Sequence, residues 1–376
     1  MDDSSIGRRI ARARKRRDLT QAGLAEAAHM SLSLVKQVES GHKAATPTTV
    51  AAVARALQVD VSELYGQPYR GHTMRTDRVH ASIPAIRQAL AYVDVPPALD
   101  SPPRPLGELA REIPRLKRLQ GEARHIELGA ALPAVIAELA VHAYGEATGR
   151  SWTLLNRAYS IANSLARRLG YDDLAQVAID RCAYAAVRAD DPELPRLVTL
   201  SRALLMLSAG AYDGASALLD AAIASTSGDT EESVTVLGAL HLRAAVTFAR
   251  AGNAGDAWEH HGIAADLIER RGDAPDYYEL QVNAGNVLIH HVAVAVELEQ
   301  YDQAVREGAE LVPSAALMPE RHAHHEIDMS RAWLWTGRPD RALTSVLAAE
   351  RIAPQMARYH PMARETATRL VDSQRR

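Results

Sequence analysis

Lys36 and Gln37 are neighbours in the chain, and Leu32 and Ser33 stand one helical turn before them. A carboxamide such as Gln37 can form two parallel hydrogen bonds to adenine. An ammonium such as Lys36 can reach guanine, and an apolar side chain such as Leu32 can touch a thymine methyl group. On one helix these four would share a face, because residues three and four apart lie one above another. That is chemistry for reading base edges. Gln21, Ser31, His42 and Lys43 add amide, hydroxyl and cationic groups suited to phosphate oxygens, which fix register without carrying sequence. Two polar residues alone would equally suit an ordinary solvated helix face, so the surrounding unit has to decide.

The elements that would position them are legible. Ile6, Ile10 and Ala13, then Leu19, Leu24, Ala27 and Ala28, then Leu34 or Val35 and Val38 recur in steps of three and four. That spacing predicts successive amphipathic helices. The first covers about 5–17 and the second about 21–28, with Thr20 as its N-cap. His29-Met30-Ser31 forms the turn. The third helix starts after Ser31 and stops at Gly41, a residue suited to the position past a helix end. Thr46-Pro47 opens a fourth helix reaching about Leu57, since proline fits the first helical turn. Val61 to Tyr65 makes a short fifth. Ala25, Ala28, Val35 and Val38 then face inward, leaving Leu32, Ser33, Lys36 and Gln37 outside.

Residues 6–65, with Thr20-Gln21, Leu24-Ala25, Ser31, Val35, Glu39-Ser40-Gly41, Pro47 and Leu57, resemble the XRE-type (Cro/repressor-like) helix-turn-helix domain. The resemblance implies that Gln21 and the outer face of the third helix touch double-stranded DNA. Two positions depart from the pattern. Gly23 lies inside the second helix, at a cost of about 1 kcal/mol of helix propensity against alanine. Leu32 stands where a polar base reader is common.

Charge divides along the chain in the same sense. Residues 1–66 hold ten Lys/Arg against seven Asp/Glu, whereas the whole chain has a formal net charge of -3. A basic head on an acidic body fits a small nucleic-acid module joined to something else. Ala, Leu and Val dominate the apolar set and Phe248 is the only phenylalanine, which points to an all-α protein. Cys182 is the only cysteine, so no intrachain disulfide can form. The arginine-rich start has no apolar run behind it and no stretch approaches eighteen uninterrupted apolar residues, so neither a signal peptide nor a membrane span is expected. These readings imply a cytoplasmic, nucleoid-associated protein with no membrane partner.

Beyond the head, residues 67–105 read as a linker with one helix at about 83–92, broken by Pro96, Pro97, Pro102, Pro103 and Pro105. From 106 to 376 a turn recurs. It appears as Gly170-Tyr171-Asp172-Asp173-Leu174-Ala175, Gly210 to Ala215, Gly252 to Ala257, Glu299 to Ala304 and Gly337 to Ala342, and Leu128-Gly129 suggests an earlier degenerate copy. Glycine or a short polar residue closes one helix, and a small alanine lets the next pack against it. This resembles tetratricopeptide repeats with units longer than usual, and Pro354 falls where such a repeat often closes. The fold class expected is therefore an all-α chain: a five-helix helix-turn-helix domain over 1–66, then a right-handed α-solenoid of tetratricopeptide-like helix pairs.

In such a solenoid the first helix of each pair lines the concave wall. Projecting the spacing gives Arg157, Ser160, Ser164, Arg243, Asn283, Asn286, His290, His324, Asp328 and Arg331 as inward-facing. Asparagines can hydrogen-bond an extended peptide and arginines can hold a carboxylate. The same groups could instead cap or bridge neighbouring helices. As a whole the chain is similar in plan to bacterial regulators joining an XRE-type head to tetratricopeptide-like repeats, including the RRNPP-type peptide receptors. That likeness implies a homodimer on a palindromic operator whose repeats sense a signalling peptide or small molecule. The alternative is a DNA-tethered protein-interaction scaffold without a small ligand.

His322, His324, His325 and Glu326 lack a zinc-type spacing. No phosphate-binding glycine loop or nucleophile elbow occurs. The sequence thus predicts no metal, no cofactor and no enzymatic activity.

Overall fold

The computed structural model describes residues 5–70, 77–145, 148–272, 274–308 and 317–374, and these contain no strand. The head comprises α1 (Ile6–Arg16), α2 (Gln21–Ala27), α3 (Leu32–Ser40), α4 (Pro47–Leu57) and α5 (Val61–Tyr65). The caps are those the sequence implies. Thr20, Ser31 and Thr46 accept hydrogen bonds from the amides of Gly23, Leu34 and Thr49, and Gly41 takes φ 82 to end α3. Ile6, Ile10, Ala13, Leu24, Val35, Val38, Val50, Val53, Leu57 and Leu64 form a core of their own. Gly7 lets α1 cross α3 closely: a Cβ there would lie 2.2 Å from the Val38 carbonyl oxygen.

Residues 77–91 pack on the body. Val79 and α6 (Ile83–Ala91) share a buried core with the helices that follow. Those run as hairpins: α7 (Leu106–Gly121) with α8 (His125–Gly145), α9 (Gly149–Arg168) with α10 (Asp172–Ala186), and α11 (Leu194–Ser208) with α12 (Tyr212–Ala224). Next come α13 (Glu231–Arg250) with α14 (Ala254–Arg271), α15 (Ala284–Glu297) with α16 (Tyr301–Gly308), and α17 (Pro319–Trp335) with α18 (Pro339–Ile352). Short α19 (Pro354–Ala357) and α20 (Pro361–Gln374) end the fold.

The recurrent turn behaves as its residues require. Gly170, Gly210, Gly252 and Gly337 have φ of 79, 74, 80 and 75, and Glu299 takes φ 59 in their place. The following alanines, Ala175, Ala215, Ala257, Ala304 and Ala342, are each 0% exposed. Leu128-Gly129 is corrected: it lies inside α8, not at a turn. The chain turns before α8, at Ala123 with φ 54, and Gly129 is instead a close crossing beside Ser82. By length and apolar content alone α8 could cross a membrane, but Leu128, Leu132, Val135, Ile136 and Leu139 on it are buried between α6, α7 and α9.

The first helices of successive pairs touch in series from α7 to α17, forming a continuous inner layer. The array curls until α17 meets α7. Arg168 on α9 pairs with Glu320 on α17 at 2.6 Å, the Ile126 amide donates to Gln355 at 2.9 Å, and Ala123 shares a core with Ala323, Ile327 and Ala353. The inner layer therefore encloses a well. The head sits on the rim made by the recurrent turns. Thr48 donates to the Arg250 carbonyl, Ala51 lies under Gly210, and Gln67 donates to the Tyr359 carbonyl at 3.1 Å. At the far end, α20 holds the head: the Ile6 amide donates to Glu365 at 2.7 Å, and Arg369 donates to the Gly41 carbonyl at 2.8 Å.

Candidate nucleic-acid interface and inner well

Leu32, Ser33, Lys36 and Gln37 all lie on the exposed side of α3, opposite buried Val35 and Val38. Leu32 is 38% exposed, enough to offer a methyl-sized contact to a partner. Gln37 Nε2 donates to Ser33 Oγ at 3.3 Å, which aligns two candidate readers along one ridge. Among the described residues no hydrogen bond or ion pair joins these four to the body. The α3 N-terminus is capped by Ser31 and exposed.

What holds this ridge was not anticipated. Arg14 on α1 makes a bidentate pair with Glu39 on α3, at 2.7 and 2.9 Å, and also donates to the Leu19 carbonyl at 2.7 Å. Both side chains are nearly buried, at 10% and 6% exposure. Glu39 hydrogen bonding, opposed by burial, raises the Arg14 guanidinium above its usual range. Gln21 donates to the same carboxylate at 2.8 Å, so its amide nitrogen fastens α2 to α3. One carboxylate thus ties three helices, and Gln21 keeps the second N–H of its amide for any phosphate neighbour.

The remaining predicted phosphate groups diverge. Ser31 is exposed beside the ridge. His42 is exposed, its Nδ1 2.7 Å from Ser40 Oγ. Lys43 instead faces the body, 3.6 Å from Glu299. It could reach a phosphate only after leaving that carboxylate.

The predicted ligand residues fall into four groups. Asn283 is corrected: it is the N-cap of α15, its Oδ1 accepting the Asn286 amide at 3.0 Å, so helix capping uses the side chain that was assigned to the wall. Arg157 pairs with Glu279 and, with Ser160, lines a small cavity of about 30 Å³ bounded by Lys117, Asn156, Cys182 and Tyr278. Ser164 accepts a hydrogen bond from Arg168. Arg243, Asn286, His290, His324, Asp328 and Arg331 lie on the inner helices α13, α15 and α17.

There Glu297 takes Arg331 at 3.0 Å and Arg250 at 3.5 Å, and Asp328 takes Arg331 at 3.3 Å. Burial opposes ionisation of Glu297, but Arg250 and Arg331 outweigh it and hold the carboxyl below its usual range. Burial pushes Asp328 up to about 6 despite Arg331. His290 donates through Nδ1 to the Asn286 carbonyl at 2.8 Å, and burial followed by Arg321 and Arg243 pushes it down to about 3. His324 meets His360 edge-on, ring centroids 5.0 Å apart, and both are shifted down, chiefly by burial. The sequence reading missed Arg167, Arg250, Arg321, Glu297 and Glu320. Arg250 lies seven residues after Arg243 and Glu297 seven after His290, so two further helical turns of the same projection would have found them.

With this geometry in view, residues 10–64 match the helix-turn-helix family model, and the head is an XRE-type helix-turn-helix domain. No curated protein matches the chain. Among solved structures, Bacillus thuringiensis PlcR in complex with the peptide PapR7 and DNA is similar over 86% of this chain and 98% of that chain, with 14% sequence identity and a TM-score of 0.40.

Proposed function

We propose that this chain is a sequence-specific transcriptional regulator that binds DNA as a homodimer and reports the occupancy of its inner well to its head. The observation that carries the DNA reading is the bare α3 ridge on a head matching the helix-turn-helix family. Leu32, Ser33, Lys36 and Gln37 enter the major groove in this reading, and Gln21, Ser31 and His42 flank the backbone. One small head binds weakly, and a two-fold pair of heads on a palindromic operator supplies both affinity and spacing. The well supplies the sensor because its inner residues are polar, enclosed and only one layer from the rim that the head covers. A ligand preferring one arrangement of the ring shifts the heads by its difference in affinity between arrangements, and by no more than that.

The test is a comparison of Gln37→Ala with the unaltered protein on selected and random duplexes. Loss of about 1–3 kcal/mol on the selected site, with random DNA unaffected, is expected for a base reader. Equal loss on both would sink the assignment.

A further inference from the structure

The well holds more positive charge than it can pair. Arg167, Arg168, Arg243, Arg250, Arg321 and Arg331 lie within electrostatic reach of one another there, facing Glu297, Glu320 and Asp328. Each carboxylate is already engaged: Glu297 by Arg250 and Arg331, Asp328 by Arg331, and Glu320 by Arg168 at 2.6 Å and Arg321 at 4.0 Å. Burial opposes Glu320, yet Arg168 and Arg321 hold it far below the usual carboxylate range, so it keeps its charge. That leaves Arg167 and Arg243, whose guanidiniums make neither an ion pair nor a hydrogen bond among the described residues, and whose Nε atoms are shielded from solvent without a partner.

The surroundings deepen the imbalance. Arg243 feels Arg321, Arg167 and Arg250, with only the shared Glu320 in opposition. Arg167 feels Arg168 and Arg250, with Glu320 and the rim residue Asp172 opposing. His290 and His360 stay neutral and supply no negative charge. Burial, then these like charges, push Arg243 down to about 9 and Arg167 down to about 10. A guanidinium without a counterion, its Nε cut off from solvent, is costly, and its natural complement is a planar oxyanion held through paired N–H groups.

We propose that Arg167 and Arg243 form an oxyanion site in the well, taking the carboxylate or phosphate group of the ligand that the protein senses. This rests on the reading of the well as the sensor, and it commits that sensor to an anionic ligand. Arg250 lies between this site and the head: its side chain pairs with Glu297, and its carbonyl accepts from Thr48 of the head. Tyr65 of α5 also lies in the field of Arg250 and Arg331.

The experiment is thermal unfolding and calorimetric titration of the full chain with inorganic phosphate and, separately, with citrate, at ionic strength matched with chloride. Saturable binding of either probe is expected, and preference for one identifies the phosphoryl or the carboxylate source. Arg167→Gln and Arg243→Gln should each weaken binding at least tenfold, and the double variant should abolish it. Each substitution should also raise Tm without anion, because it removes an uncompensated charge. Unaltered binding in the double variant, no saturable binding at all, or a lower Tm without anion for both single variants would overturn the proposal. Duplex binding is measured in parallel on the same samples. Lost anion binding with intact DNA binding refutes this site alone, whereas absent DNA binding with intact anion binding refutes the regulator reading.

Discussion

The fastening of α3 and the lining of the well both use arginines whose Nε is shut off from solvent or paired, but the two are balanced in opposite ways. Arg14 has a counterion and three acceptors: both oxygens of Glu39 and the Leu19 carbonyl. Arg243 has none. The head places its polar complement inside and leaves its working ridge to solvent, where water satisfies Lys36 and Gln37. The well pairs four of its arginines with carboxylates and leaves Arg167 and Arg243 without counterions. The head thus resembles a finished scaffold whose partner docks from outside, and the well a scaffold lacking one component.

The contrast should be largest under acid. His125, His241, His290 and His325 are buried in the body, at 1%, 5%, 7% and 3% exposure, and burial pushes them down to about 3, 4, 3 and 4. A histidine whose folded pKa is depressed contributes stability above its unfolded value, and that stability fades as pH falls from about 6.5 toward the folded value. The expected loss is about 1 kcal/mol per buried histidine for each pH unit below 6.5. The four tryptophans, Trp152, Trp258, Trp333 and Trp335, all lie in the body, so their fluorescence follows it selectively. Acid titration should reveal body unfolding between pH 6 and 4. A flat fluorescence signal over that range would erase the distinction.

Next in size is the head's own fastening. Glu39→Ala leaves Arg14 shielded and unpaired, reproducing in the head the condition of Arg243. Urea unfolding should show a loss of about 3 kcal/mol. A loss under about 1 kcal/mol would mean that Arg14 finds water instead, and that the two arginine sites are less different than they look.

The smallest effect concerns the seam between the regions. Glu299 occupies a left-handed position where four other repeats have glycine, and it also pairs with Lys43. Glu299→Gly should relieve about 1 kcal/mol of backbone strain in the body, while freeing Lys43 and steepening the salt dependence of DNA binding by roughly one contact. Unchanged salt dependence would show that Lys43 never reaches a phosphate.

Much of this fold could be read from local chemistry. Thr20, Ser31 and Thr46-Pro47 mark helix starts because an orphan amide needs an acceptor nearby in sequence. The repeat turns were legible because glycine tolerates positive φ and alanine alone fits a 0% exposed crossing. What remained hidden depends on distant partners. Ala123 turns the chain in a conformation that alanine seldom announces, whereas the glycine of Leu128-Gly129 advertises a break that is not there. Asn283 has the right face for the wall but also the right position for a cap, and the nearer use prevails. Nothing local to Arg14 foretells Glu39, 25 residues away. For the candidate sites, the α3 ridge followed from helical periodicity, whereas the charge imbalance of the well emerged only once four helices were brought together.

The meeting of α17 with α7 has a mechanical consequence. An open spiral of helix pairs can lengthen or flex at either tip, but a hoop cannot. Gly121 lies at the hoop's join directly beside the Met318 side chain, which would have to swing aside for any larger residue, since a Cβ there would sit 2.1 Å from Met318 Sδ. Inserting or deleting one hairpin would leave the hoop unable to shut, and Glu365 and Arg369 would no longer meet Ile6 and Gly41. Any distortion at one point of the circle must therefore be shared by every hairpin, including those on which the head rests.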